Sequence, residues 1–213
     1  MSDKYDTSQN PEGQFQPGSN DEVLLNKLGI TEPGEINEVE LGLLDELTKV
    51  LLEEIEVDER INAADLCEWH RRWLGNVFIW AGQYRTVNMG KDGFQFAAAH
   101  LIQNLMQTFE AKFLNQYTPC EGMDDQQLVE ALANVHLEFI LVHPFREGNG
   151  RLGRLLSTIM ALQAGRPPLD FTYLTGHKDE YIQAIHAGLD NIEPMKVLFR
   201  RVLQQSVLQN GGG

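Results

Sequence analysis

The thirteen residues from Val142 to Arg154 read VHPFREGNGRLGR. Leu132, Val135, Phe139 and Val142 precede and enter this stretch at helical spacing, which predicts a helix packed inward up to its edge. Pro144 stops that helix and leaves His143 as the last residue before the break, held by a helix end. Phe145 is the one apolar residue of the loop and reads as its buried anchor. Gly148-Asn149-Gly150 then leads straight into a second helix. A glycine-flanked turn at a helix start presents unpaired backbone N–H groups at the positive end of the helix dipole, which is an anion cradle. Arg151 and Arg154 stand three apart, so both can share one face, and guanidinium groups suit phosphate oxygens. Glu147 is a lone carboxylate beside the turn, able to hold Mg²⁺ whose remaining ligands are water and phosphate. These parts predict phosphoryl-group chemistry on a nucleotide.

Outward from this stretch, the pattern is helical. Apolar residues recur at helical spacing over 38–56 (Val39, Leu43, Leu44, Leu47, Val50, Leu51, Ile55), and further helices are expected over 63–79, 100–114, 124–142, 151–164, 179–189 and 193–209. SNDEVLLNKLGI, from Ser19, reads as a capped short helix, and TEPGEI as a turn. Tyr84, Thr86 and Val87 are β-prone, Gly90 and Gly93 bracket a turn, and Phe94 and Phe96 alternate after it. That is a short β-hairpin with Lys91, Asp92 and Gly93 at its tip. The fold class is therefore all-α with one short hairpin. Residues 1–20 read as an extended arm, 21–209 as the domain and 210–213 as a flexible tail.

The chain has 213 residues, 42 % of them hydrophobic, enough to fill a core without metal or disulfide staples. Two cysteines with no CxxC partner argue against a disulfide scaffold or a zinc site and suit a reducing compartment. MSDKYDTSQN lacks an apolar signal segment and no run approaches a membrane span, so a cytoplasmic location is expected. The net charge of −14 disfavours nucleic acid and anionic lipid. Arg146, Arg151, Arg154 and Arg166 are nevertheless clustered in sequence, and a small basic spot on an acidic body suits a compact anion.

His143-Pro144-Phe145-Arg146-Glu147-Gly148-Asn149-Gly150-Arg151-Leu152-Gly153-Arg154 resembles the Fic-domain signature, H-P-F-x-[D/E]-G-N-G-R-x-x-R, and carries it complete. NVFIWAGQYRTVNMGKDGFQF is similar to the region leading into the Fic flap, and NKLGI to the opening of short bacterial Fic proteins. The resemblance spans roughly Leu24 to Leu203 and implies the helical Fic fold. It further implies transfer of AMP from ATP to a Tyr, Ser or Thr hydroxyl of a target protein, with release of pyrophosphate. His143 would be the general base, a role that suits an imidazole at neutral pH. Glu147 would hold Mg²⁺, Gly148, Asn149, Gly150 and Arg151 the phosphates, and Arg154 the γ-phosphate. Tyr181 would line the adenine pocket, although Gly188 stands where some relatives have asparagine. Lys91, Asp92 and Gly93 would lie on a flap that aligns the target by β-strand addition.

Many Fic proteins are restrained by a helix bearing [S/T]-x-x-x-E-[G/N], whose glutamate pairs with the second motif arginine. SQNPEG, with Ser8 and Glu12, matches literally but carries Pro11 inside it. Inhibition by a small antitoxin supplying the glutamate is the expectation, making the chain the toxin half of a toxin–antitoxin pair. Two other readings compete. A Doc-like kinase would transfer the γ-phosphate, but its motif replaces a Gly-Arg that is intact here as Gly150-Arg151. A catalytically idle binding module would have lost the histidine or the glycines.

Outside the motif, plainer assignments hold. Trp69, Trp73 and Trp80 read as core, and His70, His136, His177 and His186 as ordinary packing or surface residues. His100 reads as a helix-start residue, and Arg146, at the variable motif position, as solvent-facing. Phe94 and Phe96 are equally open as hairpin packing or target contacts.

Overall fold

A computed structural model describes residues 10–91 and 94–210. Ser8, Asp92, Gly93 and the tail from 211 lie outside the described residues. In chain order, a 3₁₀ turn at Pro11–Gly13 is followed by α1 (Pro33–Glu54) and α2 (Ala63–Leu74). The hairpin strands β1 (Gly90–Lys91) and β2 (Phe94–Gln95) come next, then α3 (Ile102–Phe109), which runs through a π turn (Glu110–Leu114) into α4 (Asn115–Tyr117). The remaining helices are α5 (Asp125–Val142), α6 (Asn149–Gln163), α7 (Thr172–Gly176), α8 (Lys178–Ala187) and α9 (Glu193–Asn210). The expected all-α architecture with one hairpin is observed. No helix among the described residues is long and apolar enough to cross a membrane.

The centre is α5. Asp124 opens it with a capping box, accepting from Gln127 N while the Gln127 side chain returns to the Asp124 amide. Leu128, Leu132, Val135 and Phe139 are buried, and so are Val129, His136 and Ile140 on other faces. A helix apolar nearly all round must be enclosed, and α6 and α9 pack on it, joined by α3 and α8. It ends on His143 at φ 52°, ψ 59°, a left-handed conformation uncommon for a non-glycine residue. Pro144 disfavours the right-handed alternative at His143, so the turn is built into the dipeptide.

Two local expectations are corrected. The 19–30 stretch is not a helix: Phe15 and Leu24 form an isolated bridge, and side chains take the backbone groups a helix would need. Asn26 Oδ1 accepts from Leu28 N and Ile30 N, and its Nδ2 donates to the carbonyls of Leu24 and Ile30, the competition that keeps Asn out of helix interiors. TEPGEI is less a turn than a helix start. Pro33 opens α1, where its missing N–H is no loss. The described part of the 1–20 arm lies on the body, where Asn10 Nδ2 donates to Thr86 Oγ1 at 2.7 Å.

Candidate active site

The signature forms the loop and helix start between α5 and α6. Phe145 is fully buried and stacks on His70, with ring centroids 4.1 Å apart and planes 7° apart. Asn149, also buried, closes the loop: its Oδ1 accepts from Phe145 N at 2.9 Å and its Nδ2 donates to Phe145 O at 2.7 Å. Gly148 sits at φ 82°, and a Cβ there would lie 2.5 Å from Trp73 Cζ3, so both backbone and space require glycine. At Gly150 a Cβ would meet nothing within 4 Å. The loop thus rests on α2, and Gly148, Asn149 and Gly150 at the start of α6 line a cavity.

That cavity, about 450 Å³, brings together His143, Arg146, Glu147, Gly148, Asn149, Gly150 and Arg154 with Tyr181, Ile182 and Ile185 of α8 and Phe94 and Phe96 of the flap region. One end is charged and the other apolar, as a nucleotide requires. Arg154 Nε is buried with no hydrogen-bond partner among the described residues, a cost that an incoming anion would relieve. His143 lies against Phe96, and its Nδ1 faces the Ile140 carbonyl at 3.3 Å. The tautomer with hydrogen on Nδ1 satisfies that carbonyl and makes Nε2 the basic nitrogen.

The Tyr181 ring lines the cavity while its hydroxyl is tied down behind it. Ser157 Oγ donates to Gly153 O at 2.8 Å, so it accepts from His136 Nδ1 at 3.3 Å, and His136 Nε2 accepts the Tyr181 hydroxyl at 2.7 Å. Burial pushes the His136 pKa down to about 4 and raises that of Tyr181, so both stay neutral. Gly188 does not line the cavity. A Cβ there would fall 2.3 Å from Leu137 Cδ2, so glycine lets the end of α8 pack on α5.

Three placements differ from expectation. Arg151 is not part of the cavity lining. It turns behind the loop, donates to the buried Glu40 of α1 at 2.5 Å and to Glu147 Oε1 at 3.3 Å, and stacks over Trp73 at 4.8 Å. Glu12 does not approach Arg154; Pro11 starts a 3₁₀ turn, and the carboxylate accepts from Thr86 N at 2.8 Å. Arg146 is not simply solvent-facing, because its Nε donates to Glu12 O at 2.8 Å. Of the flap triplet only Lys91 is described, paired with Phe94 in the hairpin register.

Two residues carry more than spacing could reveal. His70 Nδ1 accepts from Gly82 N at 2.8 Å, so its Nε2 donates to the Glu147 carbonyl at 3.1 Å, bracing the loop with a neutral ring whose pKa burial pushes down to about 4. Glu40 has its pKa raised, chiefly by burial and against the pull of Arg151. Its place in an apolar-periodic helix was the available signal, a carboxylate four residues after the buried Ile36 and seven before the buried Leu47. Glu147 is fairly open, its side chain 43 % exposed, and Oε1 accepts from Gly148 N at 2.8 Å. A single hard carboxylate at the mouth of an anion cavity fits Mg²⁺.

A sequence model of the Fic/DOC family matches residues 60–161. The probable protein adenylyltransferase Fic of Salmonella typhimurium is 30 % identical over 170 residues, covering 78 % of each chain. The protein adenylyltransferase Fic of Nematostella vectensis is 29 % identical over 174 residues, 81 % of this chain but 39 % of the relative's length. Among solved structures, the BepC protein of Bartonella tribocorum, with bound AMPPNP, superposes with a TM-score of 0.71 at 25 % identity, over 90 % of this chain and 96 % of that one. The chain belongs to the Fic/DOC family.

Proposed function

We propose that this chain is a Mg²⁺-dependent protein adenylyltransferase that moves AMP from ATP to a Tyr, Ser or Thr hydroxyl of a protein. The observation that carries the reading is the convergence of His143, Glu147, the α6 N-terminus and Arg154, whose Nε has no hydrogen-bond partner among the described residues, on one cavity that Tyr181, Ile182 and Ile185 also line. The names of the relatives and the nucleotide analogue bound to the BepC protein support it.

Tyr181, Ile182 and Ile185 receive the base. The N–H groups of the first turn of α6 are available to the phosphates, and their fixed dipoles offset charge that builds in the transition state. Arg154 takes the distal phosphate. His143 Nε2 accepts the proton of the target hydroxyl as the oxygen forms its bond to the α-phosphorus and the bond to pyrophosphate breaks; the proton then leaves the imidazole for solvent. Glu147 would hold Mg²⁺, which would neutralise phosphate charge when bound. Arg151 works from behind the loop, balancing Glu40 and Glu147. The hairpin offers a strand edge for the target, the body a docking surface for a small antitoxin, and the cytoplasm is the compartment.

The experiment is incubation of the purified protein with Mg²⁺ and α-³²P-ATP in a bacterial lysate, beside His143→Ala. A labelled acceptor that disappears in the variant is the expected result. Label from γ-³²P-ATP instead would replace this reading with phosphate transfer.

A further inference from the structure

Arg85 stands where the chain turns into the flap, and its side chain is only 2 % exposed. Its Nε donates to the His143 carbonyl at 2.7 Å, one terminal nitrogen to Val87 O at 2.6 Å, and the other to Ala97 O at 2.6 Å and Val142 O at 3.4 Å. Its own backbone N–H donates to Pro144 O at 2.8 Å. Val87 and Ala97 flank the hairpin on either side; Val142 and His143 are the end of α5 and the base. One planar fork thus joins both legs of the flap to the catalytic histidine. The cation also faces the negative end of the α5 dipole. Burying a guanidinium is costly, and an apolar side chain would fill the space more cheaply. What the arginine adds is fixed geometry among four separate carbonyls, which the point charge of lysine cannot span.

We infer that Arg85 is a positioning residue that sets the flap at a fixed distance from His143, so that a hydroxyl on a strand laid along the hairpin meets the base. The inference rests on the AMP-transfer reading. His143 is held in a left-handed conformation at φ 52°, which persists where surrounding bonds over-determine it, and the Arg85 bond to its carbonyl is one of them.

The test compares full-length wild type, Arg85→Lys, Arg85→Met and His143→Ala. Transfer from α-labelled ATP, binding of a fluorescent non-hydrolysable ATP analogue, thermal midpoint and hydrogen exchange over 86–97 are measured for each. Both Arg85 variants should bind the analogue as wild type does, exchange faster over 86–97, and lose roughly tenfold to a hundredfold in kcat, as expected for a misplacement of about 1 Å. Arg85→Lys should regain thermal stability without regaining rate. The inference is overturned if Arg85→Lys transfers at the wild-type rate, or if rate, analogue binding and melting fall together. Should wild type label nothing beyond His143→Ala, the AMP-transfer reading fails by itself. Exchange then decides about Arg85: unchanged protection over 86–97 in Arg85→Met removes its holding role, and faster exchange there retains it.

Discussion

Phe96 lies flat against His143, with ring centroids 3.7 Å apart and planes 13° apart. The stack comes from the flap side and, with the Ile140 carbonyl at Nδ1, restrains the imidazole. Phe94 extends the same surface, edge-on to Phe96 and stacked on His186 of α8 at 5.0 Å. The two phenylalanines therefore join the hairpin, His143 and the α8 wall of the cavity.

Replacing Phe96 with alanine should loosen the imidazole more than it weakens the fold. The lost ring pair is worth about 1 kcal/mol, while kcat for transfer should fall at least about tenfold with the KM for ATP little changed. Steady-state kinetics with varied ATP check this. A rise in KM at constant kcat would place Phe96 in nucleotide binding instead.

The two motif glycines should separate stability from binding. Gly148→Ala combines a left-handed backbone with a Cβ 2.5 Å from Trp73, and should cost about 2–4 kcal/mol from strain and overpacking. Gly150→Ala meets open space, so its melting temperature should hold, while its methyl group enters the volume where phosphate must approach the backbone. Thermal melts paired with nucleotide titrations would show the two effects in different variants.

Buried neutral histidines make the fold sensitive to acid. His70 and His136 each have a pKa pushed down to about 4 from an ordinary 6.5. Between those values the unfolded chain binds more protons than the folded one. Their contribution is therefore complete above about pH 6.5 and falls as pH drops towards 4, on the order of 3 kcal/mol each by then. The stability gap between wild type and His136→Gln, from urea unfolding, should shrink steadily from pH 7 to pH 4.5. A gap independent of pH would mean that His136 titrates in the fold as it does in the unfolded chain.

Glu40 and Glu147 share Arg151, so changing one should be felt at the other. Glu40→Ala leaves a mostly buried guanidinium short of a partner and should destabilise by about 2–4 kcal/mol. Glu40→Gln keeps the shape and a hydrogen bond at lower cost. In both variants Arg151 should pair more strongly with Glu147, and the Mg²⁺ concentration for half-maximal transfer should rise several-fold. Magnesium titration of the activity is the measurement.

The helices with strong apolar periodicity were legible from residue order, because helical spacing and caps such as Asp124 are local properties. The 19–30 stretch was misread for a local reason too: Ser19 and Asn26 are good caps, and here their side chains close turns on their own backbone. Gly148, Asn149 and Phe145 showed their places through the motif. His70 and Arg85 showed nothing of their bonds to the Glu147 and His143 carbonyls, since those lie dozens of positions away.

By itself, the order of residues determined a helix ending at His143, a glycine loop behind Phe145 and a second helix opening directly from that loop, because proline, glycine and a helix start act on their immediate neighbours. Only the tertiary structure decided that Arg151 turns to Glu40 rather than into the cavity, that Glu12 binds the Thr86 amide instead of Arg154, and that Arg85 joins the flap to the base. A long charged side chain reaches several partners from one backbone position. Which of them it meets depends on what the packed helices bring within hydrogen-bond range and which charges they leave without water.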